Sequence, residues 1–327
     1  MGSLRLVGTV SVLTAALALS AAATAAARPT CLGKRATIVG NDRGNRIKGT
    51  GHRDIIVGLG GRDKIIGNGG RDVICGGSGD DRIYGGEPSR KRDDPTTLIG
   101  GRGNDHIDGG YTDDLIVGDE ANLSGDATGP VGHDTLDGTF GKDYVVGDNY
   151  SRFDAIGGVR DSLSGQKGDD TLIGDSAVTG DGTARGGGND WFAAMSHDDF
   201  EVGDSFSPKG KAIGSGKDLI NAGPGGDFIV ADNYTVSGLA QGGGVDRINP
   251  LPGSDISYGD NYAASPGGTA VGGAHDSIGG AEGNDRTVGG PGEDACVGGP
   301  GRDGSAQCER RRQMEYALDL PLPWRLP

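Results

Sequence analysis

The sequence predicts an all-β chain wound as a parallel β-roll, a right-handed β-solenoid of short strands and Gly/Asp-rich turns. Three observations lead there. From Gly40 to Tyr84 the chain repeats every nine residues without a slip, as GNDRGNRIK, GTGHRDIIV, GLGGRDKII, GNGGRDVIC and GGSGDDRIY. The sixth place of each block holds Asn45, Asp54, Asp63, Asp72 or Asp81, and the eighth holds Ile47, Ile56, Ile65, Ile74 or Ile83. Glycine supplies 67 of 327 residues against 5% aromatics and a net charge of −15, a balance that excludes an ordinary globular core and would suit a disordered linker were the register not so strict.

At the N-terminus Arg5, the Ala/Leu/Val-rich stretch Leu6 to Ala23 and Ala25-Ala26-Ala27 read as a secretory signal, residues 1–27, cleaved near Ala27. The mature chain is expected to be extracellular and secreted, with no membrane span after signal removal, since no later segment is apolar enough. Residues 28–39 are expected to cap the roll. In residues 40–117 each block reads as a six-residue turn, where glycines supply tight backbone, followed by a three-residue strand whose middle aliphatic points inward. EPSRKRDDPTT, ending at Thr97, interrupts the count as a solvent loop before GGRGNDHID and GGYTDDLIV resume it.

The pattern resembles the RTX, or hemolysin-type, calcium-binding nonapeptide G-G-x-G-x-D-x-U-x, which GGSGDDRIY at Gly76 to Tyr84 matches at every fixed place. That resemblance implies a parallel β-roll with several Ca2+ ions between adjacent turns. Carried over place by place, it implies side-chain ligands at Asp54, Asp63, Asp72, Asp81, Asp105, Asp114, Asp143, Asp170, Asp227, Asp255, Asp285 and Asp294, and, beside longer turns, at Asp134, Asp161, Asp190, Asp218, Asp246 and Asp276. The pattern departs at Asn45, which is neutral, and around Asp199, where AMSHDDFEV has no glycines.

In residues 118–306 the period lengthens. Gly118-Asp119, Gly147-Asp148, Gly174-Asp175, Gly203-Asp204, Ala231-Asp232 and Gly259-Asp260 recur about every 28 residues. Each unit still holds two Asp-x-aliphatic signals, such as Asp161 with Leu163 and Asp170 with Leu172. The expected architecture is therefore a flattened, two-stranded roll whose later coils carry stacked long loops on one edge. The Asp that opens each loop has two readings, an extra calcium ligand or an Asx-turn former. Tyr150, Tyr234 and Tyr262 are expected to stack if the coils are in register. Residues 307–327, with Arg310-Arg311-Arg312 and Trp324, are expected to form a cap or tail.

The physical case for calcium follows from the columns. Equivalent residues of successive coils lie about 4.8 Å apart, so the aspartates form ladders of like charge. Glycine-rich backbone loses much entropy on ordering, and one aliphatic per nine residues offsets little of it. Calcium accepts six to eight carboxylate or carbonyl oxygens in flexible geometry, whereas magnesium demands a stricter octahedron and zinc prefers His or Cys. The histidines at 52, 106, 133, 197 and 275 do not cluster with the cysteines.

Four cysteines in an exported chain suggest disulfides, although connectivity is not readable from sequence. Cys31 with Cys75 and Cys296 with Cys308 is the expected pairing; the alternative is that Cys75 and Cys296 are small apolar strand residues. No H-E-x-x-H, G-x-S-x-G or phosphate-loop motif occurs, so an enzyme is not expected. The acidity makes nucleic acid a poor partner. The expected function is a secreted, calcium-binding structural or surface protein. The alternatives are an adhesin or glycan-binding module, meeting a cell-surface glycan or protein through the stacked loops, and a polysaccharide-active β-helix.

Overall fold

The computed structural model describes residues 27–86, 94–308, 310–312 and 316–317. The expected export signal lies outside them except for Ala27, as does most of the chain beyond Cys308. Every regular element among the described residues is a strand, and no helix there is long and apolar enough to cross a membrane.

Two parallel sheets form the walls of the roll. Thirteen strands, from Ile38–Asn41 to Tyr316–Ala317, make the first wall, and twelve, from Arg46–Lys48 to Arg310–Arg312, make the second. The chain alternates between them, so two nonapeptides complete one coil. Ile38 pairs with Ile56 and Ile56 with Ile74 on the first wall, while Ile47 pairs with Ile65 and Ile65 with Ile83 on the second. The inward residue of most short strands is the aliphatic two places after the aspartate; on the first wall Glu201, Ser257, Thr287 and Ser305 take its place. The aliphatic residues form one fully buried cluster running the length of the roll, through Leu98, Ile107, Leu136, Leu172, Ile220 and Ile248. Each contributes about 1.5–3 kcal/mol by burial, and together they fix the register.

The later coils depart from the expectation. The long segments are not free loops: each contributes one or two short strands to two further parallel sheets. One has six strands, from Ala121–Asn122 to Tyr262–Ala263, and the other five, from Ala155–Ile156 to Thr269–Val271. Successive long segments have nearly equal length, with coil offsets of 27 to 30 residues. Their backbones therefore stack and satisfy one another, as Tyr150 N–H does by donating to Glu120 C=O.

The six-stranded sheet covers the outer face of the first wall and creates a second core. Val146, Ile173, Val202, Phe228 and Val230 from the wall meet Ala177, Tyr234 and Tyr262 from the flank. Tyr150 does not stack on Tyr234, because Ala177 and Phe206 stand between them in the column. Tyr234 and Tyr262 are adjacent, with ring centroids 5.8 Å apart.

Nearer the N-terminus the same outer face is covered by a hairpin, Thr30–Cys31 paired antiparallel with Lys34–Arg35. Its two-residue turn places Leu32 at φ 48° and Gly33 at φ 72°, the left-handed pair that suits strand twist. Cys31 is bonded to Cys75 of the first wall, and Cys296 to Cys308 inside the core. Arg310–Arg312 and Tyr316–Ala317 continue the second and first walls, so the described part of the C-terminal stretch extends both sheets.

Candidate metal centre

The two turns of each coil stack into two edges, and the expected aspartates fall into one column on each. One edge carries Asp54, Asp72, Thr96, Asp114, Asp143, Asp170, Asp199, Asp227, Asp255, Asp285 and Asp303. The other carries Asn45, Asp63, Asp81, Asp105, Asp134, Asp161, Asp190, Asp218, Asp246, Asp276 and Asp294. A single geometry recurs along them, in which the backbone N–H of one residue donates to Oδ1 of the next aspartate in the column. The bonds measure 2.8 Å from Asp54 to Asp72, 2.8 Å from Asp63 to Asp81, 2.7 Å from Asp161 to Asp190 and 3.1 Å from Asp255 to Asp285.

The second oxygen has no such partner. Oδ2 is buried and unpaired in Asp63, Asp81, Asp105, Asp114, Asp134, Asp143, Asp161, Asp170, Asp190, Asp218, Asp227, Asp246, Asp255, Asp276 and Asp285. The glycine that opens each turn shows what those oxygens face. A Cβ at Gly58 would lie 2.4 Å from Asp63 Oδ2 and 2.3 Å from the Gly76 carbonyl oxygen; at Gly100 both Asp105 Oδ2 and Gly118 O would be 2.3 Å away. Carboxylate and carbonyl oxygens from adjacent coils thus converge on a spot kept open by the lack of a side chain, a donor set that fits a hard cation. Among the described residues no three His, Cys, Asp or Glu side chains converge on one point. Each spot therefore combines one carboxylate with backbone oxygens, a poor set for zinc.

The family model of the RTX calcium-binding nonapeptide repeat (four copies) matches residues 39–74, 48–83, 93–122, 131–149 and 157–177. Residues 39–177 carry RTX repeats. No curated protein matches the chain. Beyond the RTX match the same Oδ1 ladder continues without interruption from Asp190 to Asp294 and from Asp199 to Asp303.

The ends of the two columns differ from their middles. Asp54 Oδ2 accepts from the Thr50 N–H at 2.7 Å and the Thr50 hydroxyl at 2.8 Å. Asp303 Oδ2 accepts from the Gly299 N–H at 3.1 Å, and Asn45 contributes no charge. After the interruption Thr96 takes an aspartate's place, donating to Asp114 Oδ1 from both N–H and hydroxyl.

Asp199, doubtful from sequence, stands fully in its column. Asp170 N–H donates to its Oδ1 at 2.7 Å, its own N–H donates to Asp227 Oδ1 at 2.9 Å, and its Oδ2 is unpaired. Met195 and His197, both at φ 88°, adopt the left-handed backbone that glycines supply elsewhere. The signal lay in the spacing, since Asp199 is 29 residues from Asp170 and 28 from Asp227, like its neighbours. Glu201 was also missed. It pairs with Leu172 and Ile229 in the inward column, is 0% exposed, and has both carboxylate oxygens unpaired.

Twenty-six aspartates and Glu201 are buried, and no Lys, Arg or His is buried with them among the described residues. Burial pushes Asp81, Asp105, Asp114, Asp227, Asp255 and Asp276 up to about 7. Burial followed by neighbouring aspartates raises Asp143 to about 8 and Asp199 to about 9. The roll thus holds many carboxylates that favour a proton or a cation over bare charge.

Proposed function

We propose that this is an exported calcium-binding RTX protein with a structural or surface role, whose roll closes when it meets extracellular calcium. The observation that carries this reading is the run of buried, unpaired Oδ2 atoms with no buried Lys, Arg or His beside them among the described residues. Asp63, Asp72, Asp81, Asp105, Asp114, Asp134, Asp143, Asp161, Asp170, Asp190, Asp218, Asp227, Asp246, Asp255, Asp276, Asp285 and Asp294 would hold the ions with turn carbonyls of the same and the next coil. Asp54 would bind least well of the eighteen expected ligands, because Thr50 already occupies its free oxygen. Calcium, when bound, supplies the positive charge that lets these carboxylates ionise inside the turns. The chain contributes the register that brings the oxygens together. Export is supported by the N-terminal Ala/Leu-rich stretch and by two disulfides, which persist in oxidising compartments.

The glycan-binding alternative placed its ligand on stacked long loops. Those segments are instead tied together by short strands, and no observation favours that reading over the structural one. Equilibrium dialysis of the mature chain against calcium at neutral pH tests the proposal. Roughly seventeen ions per chain are expected, about one for each aspartate named. Fewer than about two would contradict it.

A further inference from the structure

The Gly-Asp pairs of the wider coils form a third column of carboxylates that the nonapeptide pattern does not contain. Asp119, Asp148, Asp175, Asp204 and Asp232 are each 0% exposed, and Asp260 is 3% exposed. Their backbones are stacked directly, Asp119 N–H donating to Asp148 C=O, Asp148 to Asp175, Asp175 to Asp204 and Asp204 to Asp232, at 3.0–3.1 Å.

The turn-forming reading accounts for part of what their side chains do. Gly132 N–H donates to Asp119 Oδ2, Val159 N–H to Asp148 Oδ2, Gly188 N–H to both oxygens of Asp175, and Gly244 N–H to Asp232 Oδ1. It leaves the other oxygens unexplained. Asp119 Oδ1, Asp148 Oδ1, Asp204 Oδ1, Asp232 Oδ2 and Asp260 Oδ2 are buried without a partner.

Asp175 and Asp204 also face the edge column across a glycine. A Cβ at Gly188 would lie 2.8 Å from Asp175 Oδ1 and 2.8 Å from Asp190 Oδ1; at Gly216 it would lie 2.8 Å from Asp204 Oδ1 and 3.0 Å from Asp218 Oδ1. These coils therefore present two carboxylates to one region of this edge, where the opposite edge presents one. Two buried carboxylates per coil, stacked about 4.8 Å apart, are strongly unfavourable without opposite charge, and no buried Lys, Arg or His supplies it.

We infer that the coils between Asp119 and Asp260 hold an additional column of divalent-cation sites of the calcium class, lined by Asp148 with Asp161, Asp175 with Asp190, and Asp204 with Asp218. This rests on the reading of the roll as a calcium-binding fold. Oxygen-only donors with two carboxylates per coil suit calcium, and the extra charge would make these sites tighter than the single-aspartate turns. The wide coils would then be the calcium-retaining part of the molecule, and the narrow RTX coils the part that releases calcium first.

The test is calcium equilibrium dialysis on the full mature chain, wild type beside the triple variant Asp148→Asn, Asp175→Asn, Asp204→Asn. Asparagine keeps the Oδ acceptor for Val159 and Gly188 but removes the charge. About three fewer ions per chain are expected, one for each carboxylate pair so altered, with the tightest class of sites lost. An unchanged count in a variant with wild-type circular dichroism overturns the inference and makes the column a proton-sharing turn ladder. A wild type that binds no calcium overturns the parent reading as well. If the variant does not fold, anomalous scattering from calcium-loaded wild-type crystals decides. A peak between Asp175 and Asp190 supports the column; peaks confined to the two edge ladders overturn it.

Discussion

In calcium-free buffer the mature chain gains β structure as the pH falls from about 8 to about 4.5, the reverse of ordinary acid unfolding. In the unfolded chain an aspartate titrates near 3.9. In the folded roll Asp81, Asp105, Asp114, Asp227, Asp255 and Asp276 are raised to about 7, Asp143 to about 8 and Asp199 to about 9, chiefly by burial. Between the unfolded and folded values the folded state holds more protons, so stability falls with rising pH. It is fully present below about pH 4 and is lost as the pH rises through about 7, with Asp199 extending the loss to about 9. With calcium present the dependence inverts, because protons then compete with the cation for the same Oδ2 atoms. Far-UV circular dichroism across this range, with and without calcium, checks both arms. Loss of β structure on mild acidification of the calcium-free chain would contradict the burial of unpaired carboxylates.

Gly58→Ala places a methyl where Asp63 Oδ2 and Gly76 O converge, at 2.4 and 2.3 Å. The nearest atoms are a carboxylate held by the Asn45 N–H and a backbone carbonyl, so neither can move aside without separating the coils. The substitution changes no charge, yet it is expected to cost about 1–3 kcal/mol of calcium-loaded stability. It should also remove about one ion and raise the calcium concentration needed for folding several-fold. Ala231 holds the corresponding place in one wide coil, directly before Asp232. The reciprocal change, Ala231→Gly, should therefore strengthen binding beside Asp246. Calcium-dependent thermal unfolding of both variants checks the pair. A Gly58→Ala protein indistinguishable from wild type would mean that the open spot at the turn glycine is not where the cation sits.

What sequence could reveal followed the range of the interactions involved. The narrow coils were legible because every determinant is local: a turn glycine, an aspartate, and an isoleucine two places later, nine residues apart. All eighteen expected aspartates consequently lie in the two edge columns, including those beside long segments, such as Asp134 and Asp218. The flank sheets were not legible, because their strands are pairs such as Ala177–Val178 and Phe206–Ser207. Two residues carry no periodicity, and these strands exist only through pairing with a coil 27 to 30 residues away. The second core escaped notice for the same reason, since Val146 and Val230 look like ordinary outward strand residues until a flank covers them. Asp199 was obscured by the lack of glycines, although Met195 and His197 reach the needed backbone. Glu201 breaks the inward aliphatic column outright, a departure expected where function or strain overrides pattern.

Calcium titration of the mature chain at pH 7.5, followed by far-UV circular dichroism with magnesium as the control, tests the central claim most directly. The account predicts a chain largely without β structure in chelator, a cooperative gain of β signal with calcium, and little response to magnesium at the same concentration. A chain already fully β in chelator at that pH would contradict it, because the buried carboxylate columns would then be stable without any cation.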